Sequence, residues 1–154
     1  MTTPRQVDPP ADGRQATEVI ATLGLEPHPE GGWYAETWRA PAVGDARPSS
    51  SAILYLLAAG ERSHWHRVDA DEIWQHVAGA PLELRTSADG RELLVHRLGW
   101  SFGGELVVPQ VVVPAGTWQA ARSLGTWTLV GCIVAPAFSF DGFELAPLGW
   151  EPSA

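Results

Sequence analysis

The chain has 154 residues, of which 45% are hydrophobic, and its 18 acidic and 10 basic residues give a formal net charge of −8. This size and composition predict one domain, residues 15–150, with a sizeable core. The negative charge and the lack of any cluster of basic residues argue against nucleic acid and anionic membrane surfaces as partners. Residues 1–14 are rich in proline and lack an apolar signal core, so they are predicted to form a flexible tail on a cytoplasmic protein.

One short helix is predicted, over about Thr17–Leu23. Its first residue can act as a cap, and Val19, Ile20 and Leu23 fall on one face of a helix. Gly24 can end it in the left-handed conformation, which a glycine adopts without a steric penalty. No other segment predicts a helix.

After the helix, short apolar segments alternate with glycine and proline, as strands and turns do. Ser50–Ala58 is nearly all apolar and is predicted to be a central strand covered on both faces, whereas Pro109 favours an edge strand or a bulge. The other predicted strands include Trp33–Ala40, Glu72–Ala78, Pro81–Ser87 and Glu92–Gly99. The pattern predicts an all-β protein of about nine or ten strands, built as an antiparallel sandwich or a small barrel.

Two histidines stand two residues apart in the segment GERSHWHRVDADEIWQHVAG. If His64 and His66 lie on a regular strand, both imidazoles point to the same face. Glu72 can join them if the chain turns back through the polar stretch Arg67–Asp71. Two imidazoles and a carboxylate suit a divalent transition metal with open positions for water or substrate. The alternative is an exposed or hydrogen-bonded pair of histidines without a metal.

Two motifs in the chain resemble those of the cupin superfamily. Residues 60–79 have the order G-x3-H-x-H-x5-E-x6-G, and a later P-x-G-x2-Q ends at Gln119. The segments HPEGGWYAETWR, SHWHRVDADEIWQHVAGAPL, VPAGTWQAA and LVGCIVAPAFSFDGFEL extend the likeness over most of residues 20–147, and they resemble the small, single-domain cupin-5-like family. This resemblance implies a double-stranded β-helix, or jelly roll, with one short amino-terminal helix.

The resemblance also implies a set of metal ligands. His64, His66 and Glu72 match the first cupin motif, and Gln119 stands where the second motif usually has a histidine. A glutamine oxygen is a neutral and weaker ligand than imidazole. The site would hold iron, manganese, nickel or zinc through these four residues, or it would be a pocket without metal, as in some cupins.

Three residues are candidates for acid–base catalysis. His66 and His76 could each act as a base, because imidazole titrates near neutral pH. His76 shares a strand face with Glu72 and could equally be a hydrogen-bonded histidine at the rim of the barrel. Tyr55 is either a buried tyrosine or a pocket acid. His28 and Glu30 lie in the HPEGG turn, where a structural role is at least as plausible as a catalytic one.

Several further side chains are predicted to line the pocket and to form a subunit contact. Jelly-roll sugar epimerases, which resemble these small cupins in architecture, pair their amino-terminal strands across a dimer, and a homodimer is therefore expected. The predicted pocket residues are Glu36, Trp38, Trp74, Phe138 and Phe140.

The leading functional hypothesis is a metal-dependent isomerase, epimerase or lyase that polarises a carbonyl or enolate oxygen. Non-haem-iron oxygen chemistry is compatible with the same ligands. Two alternatives stay open: a metal-free, epimerase-like acid–base enzyme, and a cupin that binds a ligand without turning it over. In each case the partner is a small polar molecule, carboxylated or sugar-like.

Overall fold

The computed structural model describes residues 14–100 and 106–153. Its helix, α1, spans Arg14–Leu23, and a 3-10 turn spans Phe140–Gly142. The strands are β1 (Glu26–Pro27), β2 (Trp33–Arg39), β3 (Ser51–Ala58), β4 (Ser63–Val68), β5 (Asp71–Gly79), β6 (Leu82–Ser87), β7 (Leu94–Leu98), β8 (Gln110–Val113), β9 (Trp118–Ser123), β10 (Trp127–Ala135) and β11 (Phe143–Leu145).

Helix α1 begins three residues before the predicted start and ends where the sequence indicates. Gly24 has φ +62°, and the amide of Leu25 donates to the carbonyl of Ile20 at 2.9 Å, which closes the last turn. The predicted tail, residues 1–14, lies outside the described residues apart from Arg14, which belongs to the helix. Ala16 and its helical neighbours pack against the outer face of one sheet.

The strands form two antiparallel sheets that face each other. Sheet A has the order β1-β2-β3-β10-β5-β8, and sheet B has the order β11-β4-β9-β6-β7. The core between them consists of inward residues from both sheets, including Tyr55, Leu57, Trp74, Leu84 and Val130. This arrangement is the predicted all-β jelly roll with one short helix, because each sheet buries the alternate residues of its strands.

Strand β3 is covered on both faces, as its apolar sequence predicts. Tyr55 and Leu57 point into the core, while Leu56 lies under α1. Burying one such leucine contributes about 2 kcal/mol relative to leaving it in water. Strand β8 lies at the edge of sheet A and follows Pro109, a position where a residue without an amide proton is tolerated.

Strand β4 contains a β-bulge that changes the direction of its side chains. Ser63 pairs with Ala121 and His66 pairs with Gln119, so three steps on β4 oppose two steps on β9. The side chains of Ser63 and His66 consequently both reach Glu30, whereas His64 is exposed. The expectation that His64 and His66 point at one site is therefore wrong.

Strand β2 contains a second bulge with the same effect. Glu36 pairs with Ile53 and Trp38 pairs with Ala52, which places an extra residue on β2. Glu36 and Arg39 then share a face, and Arg39 donates hydrogen bonds of 2.8 and 3.0 Å to the Glu36 carboxylate.

Within residues 14–100 and 106–153, no helix combines the length and apolarity that crossing a membrane would require.

Candidate functional site

A small cavity between the sheets, here called the inner cavity, brings together two histidines and two glutamates whose side chains are largely buried. They are His28, Glu30, His66 and Glu72. The cavity has a volume of about 180 Å³, which is the room taken by roughly six water molecules in the liquid. A compact polar molecule fits such a space.

The HPEGG turn places Glu30 in the inner cavity. Gly31 has φ +105° and Gly32 has φ +72°, values that side chains other than glycine rarely adopt. A Cβ at Gly31 would lie 2.0 Å from the carbonyl oxygen of Arg62, so only glycine allows the turn to approach β4. The amide of His64 donates to the Glu30 carbonyl at 2.7 Å. This close approach fixes the Glu30 carboxyl beside β4.

Glu30 and His66 share a proton. The Nδ1–H of His66 donates to the His64 carbonyl at 2.7 Å, so Nε2 is the atom that faces the Glu30 carboxyl, at 3.0 Å. A bare nitrogen lone pair against an ionised carboxylate would be repulsive, so one proton lies between the two atoms. Ser63 donates to the other Glu30 oxygen at 3.1 Å. The pair is therefore held in one orientation.

Burial determines which side of the pair holds the proton. It raises the pKa of Glu30 and lowers the pKa of His66, because both charged forms lose their water. The two directions favour the neutral arrangement, a carboxylic acid that donates to a neutral imidazole. His66 is only 2% exposed, so bulk water does not solvate the pair directly.

Glu72 is the second buried carboxyl of the inner cavity. Burial raises the pKa of Glu72 to about 7, although its interactions with His66 and with the amide of Gln119 oppose the shift. The Gln119 Nε2 donates to the Glu72 carboxylate at 2.6 Å, and the Trp74 Nε1–H donates to Gln119 Oε1 at 2.7 Å. Since the indole N–H is only a donor, it fixes the orientation of the amide.

His28 is the second histidine of the inner cavity. Its Nδ1 accepts the backbone N–H of Glu30 at 3.1 Å, so a neutral His28 carries its proton on Nε2. Burial lowers the pKa of His28, and its ring meets the edge of Tyr34 at 4.5 Å between centroids. His28 thus offers a neutral N–H donor.

Several predicted site residues lie elsewhere. Tyr55 is fully buried, and its hydroxyl donates to the Gly31 carbonyl beside Glu30, so it supports the turn rather than lining the inner cavity. His76 is 8% exposed and donates from Nε2 to the Ala80 carbonyl at 3.1 Å, away from Glu72's cavity. Trp38 is 55% exposed because of the β2 bulge, and Trp74 lies in the core. None of these four side chains lines the inner cavity, which corrects the predicted catalytic roles of Tyr55 and His76 and the predicted pocket positions of Trp38 and Trp74.

The structure places the three other predicted pocket residues at the inner cavity. Glu36, Phe138 and Phe140 all line the inner cavity. Arg39, which the sequence did not single out, lines it too because the β2 bulge turns its side chain to the same face as Glu36.

A second and larger cavity, here called the outer cleft, lies on the opposite side of β4. Its volume is about 390 Å³, and His64 and Trp65 form part of its wall. Arg62, Arg85 and Trp150 also line it. The bulge in β4 therefore divides the two predicted histidine ligands between two separate cavities.

The residues predicted to hold a metal do not fit one. His64 faces the outer cleft, and the oxygen of Gln119 accepts the Trp74 N–H while its NH₂ points at Glu72. An N–H donor cannot ligate a cation. In the described part of the chain, no set of three or more His, Cys, Asp or Glu side chains is arranged to hold a metal ion.

The jelly roll with a polar interior cavity is the architecture of a cupin. The sequence model of the family described as Cupin_5, cupin superfamily (DUF985), matches residues 17–146, and the chain belongs to this family. This agrees with the resemblance read from the two motifs.

Solved structures are similar over most of the chain. A protein from Shewanella oneidensis is 38% identical, with a TM-score of 0.80, over 85% of this chain and 84% of its own. A hypothetical protein from Leishmania major is 28% identical, with a TM-score of 0.78, over 88% and 89%. Oxalate decarboxylase from Bacillus subtilis, 12% identical with a TM-score of 0.59 over 77% of this chain and 29% of its own, shares the fold alone. No curated protein matches the chain.

Proposed function

We propose that the inner cavity binds a small polar molecule, carboxylated or sugar-like, and moves a proton at a carbon next to a carbonyl group without a metal. The proton-sharing pair of Glu30 and His66, buried in one cavity with Glu72, carries this proposal. It follows the metal-free, epimerase-like alternative that the sequence left open. The predicted metal ligands do not converge, so no step is routed through a metal.

Glu72 is the base in this proposal. A pKa of about 7 leaves a large fraction of the carboxylate ionised at neutral pH while keeping it basic enough to accept a proton from carbon. When the C–H bond breaks, its proton goes to Glu72 and its electron pair moves to the carbonyl oxygen. The hydrogen bond from Gln119 holds the carboxylate in place.

The Glu30–His66 pair is the proton donor that completes the reaction. It delivers its shared proton to the enolate at a different face or atom, and the carbonyl re-forms. Glu72 is then protonated and the pair has lost one proton, so exchange with water restores both. Two titratable groups in one cavity thereby take the two roles that an isomerisation needs.

The lining of the cavity includes one guanidinium group that can orient a polar substrate. Arg39 brings a guanidinium to the cavity beside Phe138 and Phe140. Its terminal nitrogens are already bonded to Glu36 and to the Phe138 carbonyl, which holds the guanidinium in place. A fixed guanidinium loses less side-chain entropy than a free one when it donates to an oxygen atom of a carboxylated or sugar-like substrate.

Hydrogen exchange tests this function directly. Protein dialysed against EDTA is incubated in D₂O with a panel of 2-oxo acids and aldoses, and loss of the α-proton signal is followed by NMR. We expect exchange on at least one compound, reduced at least about 100-fold in Glu72→Gln and His66→Asn. The matched control is His64→Asn, which removes the same side chain two residues away and should retain the exchange.

Three results would contradict the proposal. Loss of exchange on EDTA treatment, or in His64→Asn as strongly as in His66→Asn, would return the reaction to a metal held by both histidines. Silence on the whole panel, together with saturable tryptophan quenching by one of the compounds, would favour a cupin that binds without turnover.

The homodimer expected from the sequence stays a proposal. Strands β1 and β8 end sheet A, and β11 and β7 end sheet B. An unpaired edge of this kind can add a strand from a second copy.

A further inference from the structure

The outer cleft is a built cavity rather than an open surface. Residues 145–151 fold over the outer face of sheet B and form one wall. The amide of Ala146 donates to the Trp65 carbonyl at 2.8 Å, and the amide of Ser153 donates to the Gly90 carbonyl at 3.0 Å. The Trp65 Nε1–H also donates to Glu151 at 2.9 Å. These bonds hold the wall in place and keep about 390 Å³ open, twice the volume of the inner cavity.

The cleft is positive in a negative protein. Arg62, Arg85 and Arg122 line it, which is three of the chain's ten basic residues, against the two carboxylates Glu83 and Glu151. The whole chain has a net charge of −8. An excess of arginine in one cavity of such a chain is a local feature that attracts an anion.

The arginines are oriented and still have donors left. Glu83 accepts the Nε–H of Arg85 at 2.9 Å and the Nε–H of Arg122 at 3.0 Å. Within the described part of the chain, the terminal nitrogens of Arg85 have no acceptor, and Arg62 pairs with no carboxylate. Two guanidinium groups therefore present donors whose planar geometry matches a phosphate or a carboxylate.

An aromatic wall stands beside these donors. The rings of Trp65 and Trp150 meet edge to face with centroids 5.7 Å apart, and Trp150 also packs against Trp118 at 4.6 Å. The floor carries the small side chain of Ala120, which leaves space above the sheet. The small side chain and the indoles give the cleft an apolar surface beside the guanidinium groups.

We propose that the outer cleft is a second ligand site, separate from the inner cavity, that binds a small organic anion with a flat ring. The phosphate or carboxylate of the ligand bonds to Arg62 and Arg85, and its ring packs against Trp150. The two parts of the site predict that a charged ring binds better than either an inorganic anion or a neutral ring.

Calorimetric titration with phenyl phosphate, with inorganic phosphate as the comparison, tests the site. We expect saturable binding of phenyl phosphate with a Kd in the millimolar range or below, at least about tenfold tighter than phosphate. Arg62→Gln combined with Arg85→Gln should weaken it at least about tenfold, while Arg122 keeps Glu83 paired. Arg47→Gln removes an equal charge outside the cleft and is the matched control.

The remaining variants separate this site from alternatives. In Trp150→Ala, phenyl phosphate should bind no more tightly than inorganic phosphate. In Trp150→Phe, phenyl phosphate should still bind more tightly. If Trp150 only held the wall in place, its removal would not abolish this difference in affinity selectively. No saturation up to about 10 mM, or equal affinity in the double arginine variant, would overturn the proposal. Loss of binding in Glu72→Gln would place the ligand in the inner cavity and would also overturn it.

Discussion

The two cavities on either side of β4 use the same kinds of residue in opposite ways. In the inner cavity, burial raises the pKa of Glu72 to about 7. In the outer cleft, hydrogen bonds from Arg122 and Arg85 lower the pKa of Glu83. His66 is buried inside, and His64, two residues away, is exposed. Side-chain identity alone does not decide the chemistry of a residue here.

The difference follows from what replaces water around each carboxyl. Glu72 loses its water and gains neutral partners, so its ionised form is disfavoured. Glu83 meets guanidinium groups, so its ionised form is favoured. The inner cavity thus holds groups that can gain or lose a proton near neutral pH, and the outer cleft holds permanent charges. The first arrangement suits proton transfer and the second suits recognition of an anion.

The largest expected effect is on the free energy of unfolding, and it differs between a tryptophan of the core and one of the outer cleft. Trp74→Ala should lower the free energy of unfolding by about 3–5 kcal/mol, because it opens a cavity in the core and leaves the Gln119 oxygen without a donor. Trp150→Ala should cost only about 1 kcal/mol, since the ring is half-buried at the surface. Urea unfolding of both variants measures the contrast. Equal losses would show that the wall of the outer cleft is as integral to the fold as the core.

Next in size is the pH dependence contributed by Glu72. Its pKa is about 7 in the folded protein against 4.5 for a free side chain, so the folded state holds more protons between these values. Stability should therefore fall as pH rises through this window, by up to about 3 kcal/mol from this group. Glu72→Gln should remove that part of the slope in urea titrations from about pH 4.5 to 7.

A matched control for this slope is Glu26→Gln, which removes an exposed carboxylate on β1. Urea titrations of this variant show how much the slope changes when a carboxylate outside the inner cavity is removed. If Glu72→Gln shows the same slope as the unsubstituted protein, Glu72 titrates normally and is a poor base for the proposed reaction.

The smallest expected effect has the opposite sign and comes from the outer cleft. The pKa of Glu83 is lowered, so its stabilising contribution is present above the ordinary value of 4.5 and is lost as pH falls below it. Glu83→Gln should reduce the loss of stability between about pH 5 and 3, by less than about 1 kcal/mol, because its arginine partners are partly exposed. If the Glu83→Gln protein lost as much stability between pH 5 and pH 3 as the parent, this assignment would be wrong.

Most of the fold could be predicted from the sequence because it depends on local patterns. The apolar run of β3 predicted coverage on both faces, Gly24 predicted the end of α1, and Pro109 predicted an edge. These signals act over a few residues and are not altered by the rest of the chain. The resemblance to the cupin motifs predicted how the strands connect into a jelly roll. The alternation of apolar and polar residues does not predict this connection.

The composition of the inner cavity could be predicted only in part, since two bulges decide it. Alternation with a period of two places His64 with His66 and Trp38 with Glu36. The extra residues replace these pairs by Ser63 with His66 and Glu36 with Arg39, which are three apart. Neither bulge is marked by a glycine or a proline, so no local signal shows it.

The role of Glu30 could not be predicted from the sequence, for a different reason. Its carboxyl acquires its role from Ser63 and His66, which lie more than thirty positions along the chain. The available signal was the pair of glycines after it, which predicts a tight turn but not what the turn approaches. A buried proton-sharing pair is a long-range contact, and composition near Glu30 does not encode it.

The bulge in β4 also couples the energetics of positions that lie far apart along the chain. With His66 held in place, a regular strand would face His64 inward and Ser63 outward, so Glu30 would lose its hydroxyl donor. The hydrogen bond between Ser63 and Glu30 therefore depends on the bulge. The free-energy changes caused by substitutions at these positions should therefore not be additive.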